Sequence, residues 1–137
     1  GAARLAVLAT RGQDGPYTSL VGIAPVEDAE RIVFATARDT TKYRNLMRHP
    51  AASLLLDNRG TEGQGSDVSG IAAVTVRGTV QELSGQRAEK GREALQERIP
   101  ALKEFLRDEG CALLALRVKR CHVVSGFQSD AEIQVDL

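Results

Sequence analysis

The sequence predicts a mainly β chain: six to eight antiparallel strands closed into a small barrel, with short flanking helices. Three observations carry that expectation. Apolar runs rich in β-branched residues recur along the chain, as in Arg31–Ala37 (RIVFATA) and residues 71–83 (IAAVTVRGTVQEL), and such residues fit a pleated, half-buried surface. The connections between the first strands are short and rich in turn residues, which favours antiparallel neighbours. Helical periodicity appears in only two places. A strand-rich chain must hide its sheet edges, and closure does so.

Residues 5–10 (LAVLAT) form a short apolar run that reads as a buried strand. Residues 12–16 (GQDGP) are a dense turn signal, and residues 17–24 (YTSLVGIA) read as the second strand of a hairpin. Pro25 and the acidic stretch 27–30 connect to the third strand, Arg31–Ala37. Asp39 or Thr40 then caps a short helix whose apolar face carries Tyr43, Leu46 and Met47. Pro50 ends it, because proline disfavours helical geometry in the residue before it. Residues 53–57 (SLLLD) are a fourth strand. The polar, glycine-rich stretch 58–70 is a long loop, a kind of segment that is often functional. Within the long strand 71–83, Gly78 signals a bulge or a close backbone approach. Residues 86–108 are helical by period and split by Pro100, with Gly110 as the stop. Residues 111–118 and 121–127 read as two more strands, and 131–135 as a last edge strand.

With 137 residues the chain is expected to be a single domain over 1–137. It has 18 basic and 18 acidic residues, so a nucleic-acid partner is not expected. Three Phe, two Tyr and no Trp offer little for base stacking. No apolar run is long enough to span a bilayer, so no membrane partner is expected. Cys111 and Cys121 form no metal-binding spacing with His49 and His122. They read as buried thiols in a reducing cytoplasm, and no metal site is expected. The chain opens with Gly1 rather than Met, so the lack of a signal peptide weighs little on localisation. Hydrolase readings fail because no GxSxG, HExxH or Ser/His/Asp set is present.

The most informative segment is 36–45 (TARDTTKYRN), where a strand gives way to a helix. A helix N-terminus offers unpaired N–H groups and a positive dipole end, which suit a phosphate. Thr36, Thr40 and Thr41 add hydroxyls, Lys42 a mobile charge and Arg38 a potential bidentate contact. The residues alone leave two readings open: a phosphate site, or a plain helix cap beside solvated charges.

The order of these pieces resembles the pyridoxamine 5′-phosphate oxidase-like family, the FMN-binding split barrels. The carrying residues are 5–10, 15–21, 33–36 (VFAT), 41–46 (TKYRNL), His49-Pro50, 53–56 and 74–78 (VTVRG). The pattern is close up to about Leu83 and looser beyond it. The resemblance implies a split β-barrel that forms a homodimer with FMN at the subunit interface. Carried over by position, Thr36, Thr41 and Lys42 match the phosphate-binding residues. Ser19, Leu20 and Val21 match the strand along the flavin ring. Asn58 and Arg59 fall near the ring's polar edge, and Gly126-Phe127 where the partner covers the flavin. Each has a plain alternative: a strand hydroxyl for Ser19, loop for Asn58 and Arg59, core for Phe127.

Departures narrow the reading. True pyridoxamine-phosphate oxidases end in a Trp- and Arg-rich segment, whereas this chain has no Trp and no Arg after Arg120. The expected function is therefore an FMN-binding oxidoreductase of the related type, acting on a small redox substrate, without vitamin B6 oxidation. No side chain stands out as a general acid or base, so no catalytic residue is named. Some relatives use the deazaflavin F420 and others bind haem; His49 and His122 read as structural here. The rivals are a non-catalytic flavin- or haem-binding protein on the same fold, an F420-dependent reductase, and a cofactor-free interaction module.

Overall fold

In the computed structural model, residues 4–57, 72–125 and 129–134 are described. The strands are β1 (Leu5–Gly12), β2 (Gly15–Gly22), β3 (Ala24–Val26), β4 (Arg31–Ala37), β5 (Ala51–Asp57), β6 (Ala72–Glu82), β7 (Cys111–Ser125) and β8 (Ser129–Gln134). Helix α1 (Thr41–Arg48) links β4 to β5, and α2 (Gly85–Arg98) and α3 (Lys103–Arg107) link β6 to β7. All strand pairs are antiparallel, in one sheet ordered β2-β1-β5-β6-β7-β4-β3 with β8 added on β7.

The two ends of that path, β2 and β3, are joined by Ile23 alone. One residue cannot cross a flat seven-strand sheet, so the sheet must curl until its outer strands meet. The concave side holds the main core, including Leu8, Val21, Phe34, Leu54, Val76 and Leu114. A second core lies outside, where α2 and α3 pack Leu95 and Leu106 on Val33, Leu113 and Ala115. β4 and β7 are therefore covered on both faces, which is why Cys111–Ser125 begins with a near-continuous apolar run rather than an alternation.

β7 is the sheet's spine and the place where it splits. One of its edges pairs with β6 over residues 114–125; the other pairs with β4 over residues 111–117 and with β8 over 120–125. This corrects the expectation of two strands, 111–118 and 121–127. The Lys119-Arg120 step resembles a connection in sequence, yet the ladder continues past it through a register shift between Arg77 and Gly78. Gly78 is required there, because a Cβ would sit 1.9 Å from the Arg117 carbonyl oxygen.

Other differences are small. Pro25, expected in a connection, lies in β3, an edge strand where its missing N–H breaks no ladder. Pro100 does split the helical stretch, but Gly110 is not the stop. α3 ends at Arg107 with Asp108 as its C-cap, and the Asp108 carboxylate accepts from the Gly110 N–H at 2.7 Å. The loop 58–70, including Asn58 and Arg59, and the Gly126-Phe127 pair lie outside the described residues.

Candidate functional site at the start of helix α1

Helix α1 begins where β4 leaves the barrel. Thr40 is its N-cap, with extended backbone (φ −102°, ψ 157°), and its Oγ1 accepts from the Tyr43 N–H at 3.3 Å. The Thr40 hydroxyl donates to the Ala37 carbonyl at 2.8 Å, so the Thr36 hydroxyl, 3.0 Å away, is the donor of the Thr36–Thr40 bond. Thr36 is 1% exposed and belongs to the cap. The Arg44 N–H reaches Thr40 O at 3.2 Å. The backbone N–H groups of Thr41 and Lys42 have no acceptor among the described residues, and they form the exposed start of the dipole.

Lys42 is half-buried and makes no ion pair with the described residues. Thr41 is exposed, and its Oγ1 accepts from Arg44 at 3.3 Å. These two residues and their N–H groups are the part of the expected phosphate set that the fold leaves available. Arg38 is not part of it. Its guanidinium donates to the Glu109 carbonyl at 3.0 Å, the Cys111 carbonyl at 3.2 Å and Glu82 Oε2 at 2.7 Å. The Arg38 guanidinium, expected to offer a phosphate a bidentate contact, here clasps β4, β6 and β7.

Glu82 and Tyr43 are the participants that sequence reasoning missed. Tyr43, the residue after Lys42, donates its hydroxyl to Glu82 Oε1 at 2.6 Å. Partial burial pushes the Glu82 carboxyl up. The hydrogen bonds from Tyr43 and Arg38, with the Arg38 charge, outweigh it and hold the group below the ordinary carboxylate value. The same Glu82 bond, aided by burial, raises the Tyr43 phenol above its usual 10. Arg38, bonded to Glu82, is held charged beyond its ordinary value. The only sequence signal was an acid at the end of a long strand, which in isolation means little.

The other end of α1 is tied down by Asn45, 7% exposed, which donates to Thr10 Oγ1 at 3.1 Å. Thr10 in turn donates to the Tyr17 carbonyl at 3.4 Å, coupling the helix to the β1–β2 hairpin.

On β2, Ser19 stands opposite Leu8. Its Oγ is buried and has no hydrogen-bond partner among the described residues. Such a group normally costs stability unless something satisfies it. Its neighbours diverge: Val21 enters the core at 5% exposure, while Leu20 points outward at 65%. Val21 and Phe34 share the core, which places β2 beside β4, the strand that leads into α1. His49 is exposed at the C-terminal end of α1. Among the described residues no group of three or more His, Cys, Asp or Glu could hold a metal, and no helix is long and apolar enough to cross a membrane.

A curled antiparallel sheet, split along β7 and capped by a short helix that follows β4, defines a split-barrel protein. The chain belongs to the pyridoxamine 5′-phosphate oxidase family, whose model matches residues 2–125. No curated protein matches. Among solved structures, a haem-binding protein from Mycobacterium smegmatis aligns with a TM-score of 0.85 at 22% identity, over 97% of this chain and 53% of that one. The chain thus spans about half the length of that relative. The Vibrio cholerae haem storage protein HutZ aligns at 0.72 and 16% identity, over 89% and 85% of the two chains. A Clostridium acetobutylicum protein related to general stress protein 26 aligns at 0.71 and 12%, over 97% and 87%. At these identities the likeness is one of fold.

Proposed function

We propose that this chain binds FMN between β2 and the start of α1 and serves as an oxidoreductase for a small redox substrate. The observation that carries the reading is the pairing of two unsatisfied features. One is the exposed α1 N-terminus with Lys42; the other is the buried, partnerless Ser19 hydroxyl on the neighbouring strand. The first suits a phosphate, and the second suits a polar atom of a ring lying along β2. Thr41, Lys42, Ser19, Leu20 and Val21 would hold the group, with Thr36 fixing the Thr40 cap behind them. FMN would supply the hydride chemistry; the chain supplies binding and orientation.

The reading includes a homodimer. Val7 pairs with Leu20 on one side and Leu55 on the other, making an outward apolar row at 37%, 65% and 43% exposure, with Leu5 beside it at 54%. Apolar rows of this kind mark interaction surfaces, and the row includes Leu20 of the strand assigned to the flavin, so a second copy there would cover that strand. The free thiols Cys111 and Cys121 suit a cytoplasmic setting. Haem binding without turnover is the second reading, favoured by the two haem-associated structural neighbours; F420 is the third cofactor to try.

The test is an absorbance titration of the purified protein with FMN, haem and F420, repeated with Lys42→Ala. A stoichiometric FMN complex that weakens by about 1–3 kcal/mol in the variant supports the reading. Unchanged FMN affinity in Lys42→Ala removes the phosphate assignment. A Soret band with no FMN uptake selects the haem reading.

A further inference from the structure

A cavity of about 780 Å³ opens across β1, β5, β6 and β7, and it shares no residue with the set assigned to FMN. Its floor is made of small residues such as Ala9, Ala51 and Gly78. Four cations line it, Arg11, Arg77, Lys119 and Arg120, and no acidic residue does among the described residues. Arg11, Arg77 and Lys119 are exposed, and their side chains make no ion pair or hydrogen bond with the described residues.

The backbone explains why the charges converge. One rung of the sheet runs Ala9, Ser53, Arg77, Arg120 across four strands, so two arginines face each other directly. Like charges in that position repel. Lys119 joins them through the bulge. Arg77 pairs with Arg120 and Gly78 with Val118, leaving Lys119 as the extra residue. In a regular strand Lys119 and Arg120 would point to opposite faces. The bulge re-aims one of them, so that both line the same cavity. Arg11 lies two strands from Arg77 and two residues along from its register position, about 12 Å at the usual spacings. The result is a ring of positive charge around a shallow apolar floor, a built counterpart for a compact anion.

We propose that this cavity is an anion site for a ligand of the diphosphate class, carrying at least two adjacent phosphoryl charges. Three cations without partners among the described residues match the charge of a diphosphate better than that of a single phosphoryl group. Among the described residues no aromatic side chain lines the cavity, so the phosphoryl groups are what it recognises.

The test is isothermal titration of the full chain with pyrophosphate and with ADP at low salt, using acetate as the monoanionic control. Saturable pyrophosphate binding is expected, with affinity falling as salt rises. Arg77→Gln and Lys119→Gln are each expected to weaken it about tenfold, and both positions are exposed, so both variants should fold, as circular dichroism will check. Lys42→Ala should leave pyrophosphate binding unchanged, and Arg77→Gln should leave FMN binding unchanged, so this site and the FMN site succeed or fail separately. ADP binding as tightly as pyrophosphate identifies the diphosphate of a nucleotide as an acceptable source. Much weaker ADP binding restricts the site to the free anion. The proposal is overturned by three results: no saturable binding of pyrophosphate, equal affinity in both Gln variants, or loss of binding in Lys42→Ala.

Discussion

Removing the Glu82 carboxylate tests the clasp that holds the start of α1. In Glu82→Ala the Tyr43 hydroxyl loses its acceptor and Arg38 loses one of three partners. The Arg38 side chain is 45% exposed, so the ion pair is worth only about 0.5–1 kcal/mol. The shorter Tyr43 bond to a charged acceptor adds about 1–1.5 kcal/mol. The expected loss is about 2 kcal/mol. With an unfolding entropy of about 2.1 cal/mol/K per residue over 137 residues, that lowers Tm by about 7 °C. Glu82→Gln keeps the shape and an acceptor and should lose about half as much. The pH dependence carries a definite sign. Glu82 has a lowered folded pKa, so its contribution is complete above the ordinary carboxylate range and disappears as pH falls through the folded value. The gap between the native protein and Glu82→Gln, measured by scanning calorimetry, should therefore be widest near pH 7 and close towards pH 3. An unchanged Tm in Glu82→Ala at pH 7, or a Gln gap that does not vary with pH, refutes the reasoning.

Leu46 is 1% exposed and anchors α1 to the main core, so Leu46→Ala should cost about 3 kcal/mol in urea unfolding with little change in slope. Ala29 sits at φ +67° in the β3–β4 turn, beside Glu27 and Asp28 at similar angles; Ala29→Gly should raise stability by about 1 kcal/mol, seen as a higher Tm. Burial pushes the Cys111 thiol up, so labelling by a thiol reagent at neutral pH should be slow in the folded protein and become rapid in urea.

Much of the sheet was legible because its signals are local. The run Arg31–Ala37 begins and ends as its β-branched residues suggest, Thr40 caps α1, and Gly78 marks a bulge. What was not legible depends on distant partners. Arg38 looked like a phosphate ligand because it stands two residues from the cap, but its partners are Glu82, Glu109 and Cys111, 44 to 73 residues away. The unity of β7 was hidden for a related reason. Lys119-Arg120 interrupts an apolar run, and only the strand opposite reveals that the interruption is a bulge within one ladder.

The position of β7 in the chain also bears on how the protein is made. β4 is complete at Ala37, yet its β7 partner starts at Cys111, and β6 likewise waits for it. During synthesis the nascent chain must therefore carry unpaired strand edges and an uncovered apolar face for most of its length. At about 5–20 residues per second that interval lasts several seconds. The long-range closure that follows is the slow kind of contact to form. A pause or truncation before β7 would release not a smaller folded unit but a sticky partial sheet, so yield in the cell should depend on holding chaperones and on the temperature of expression.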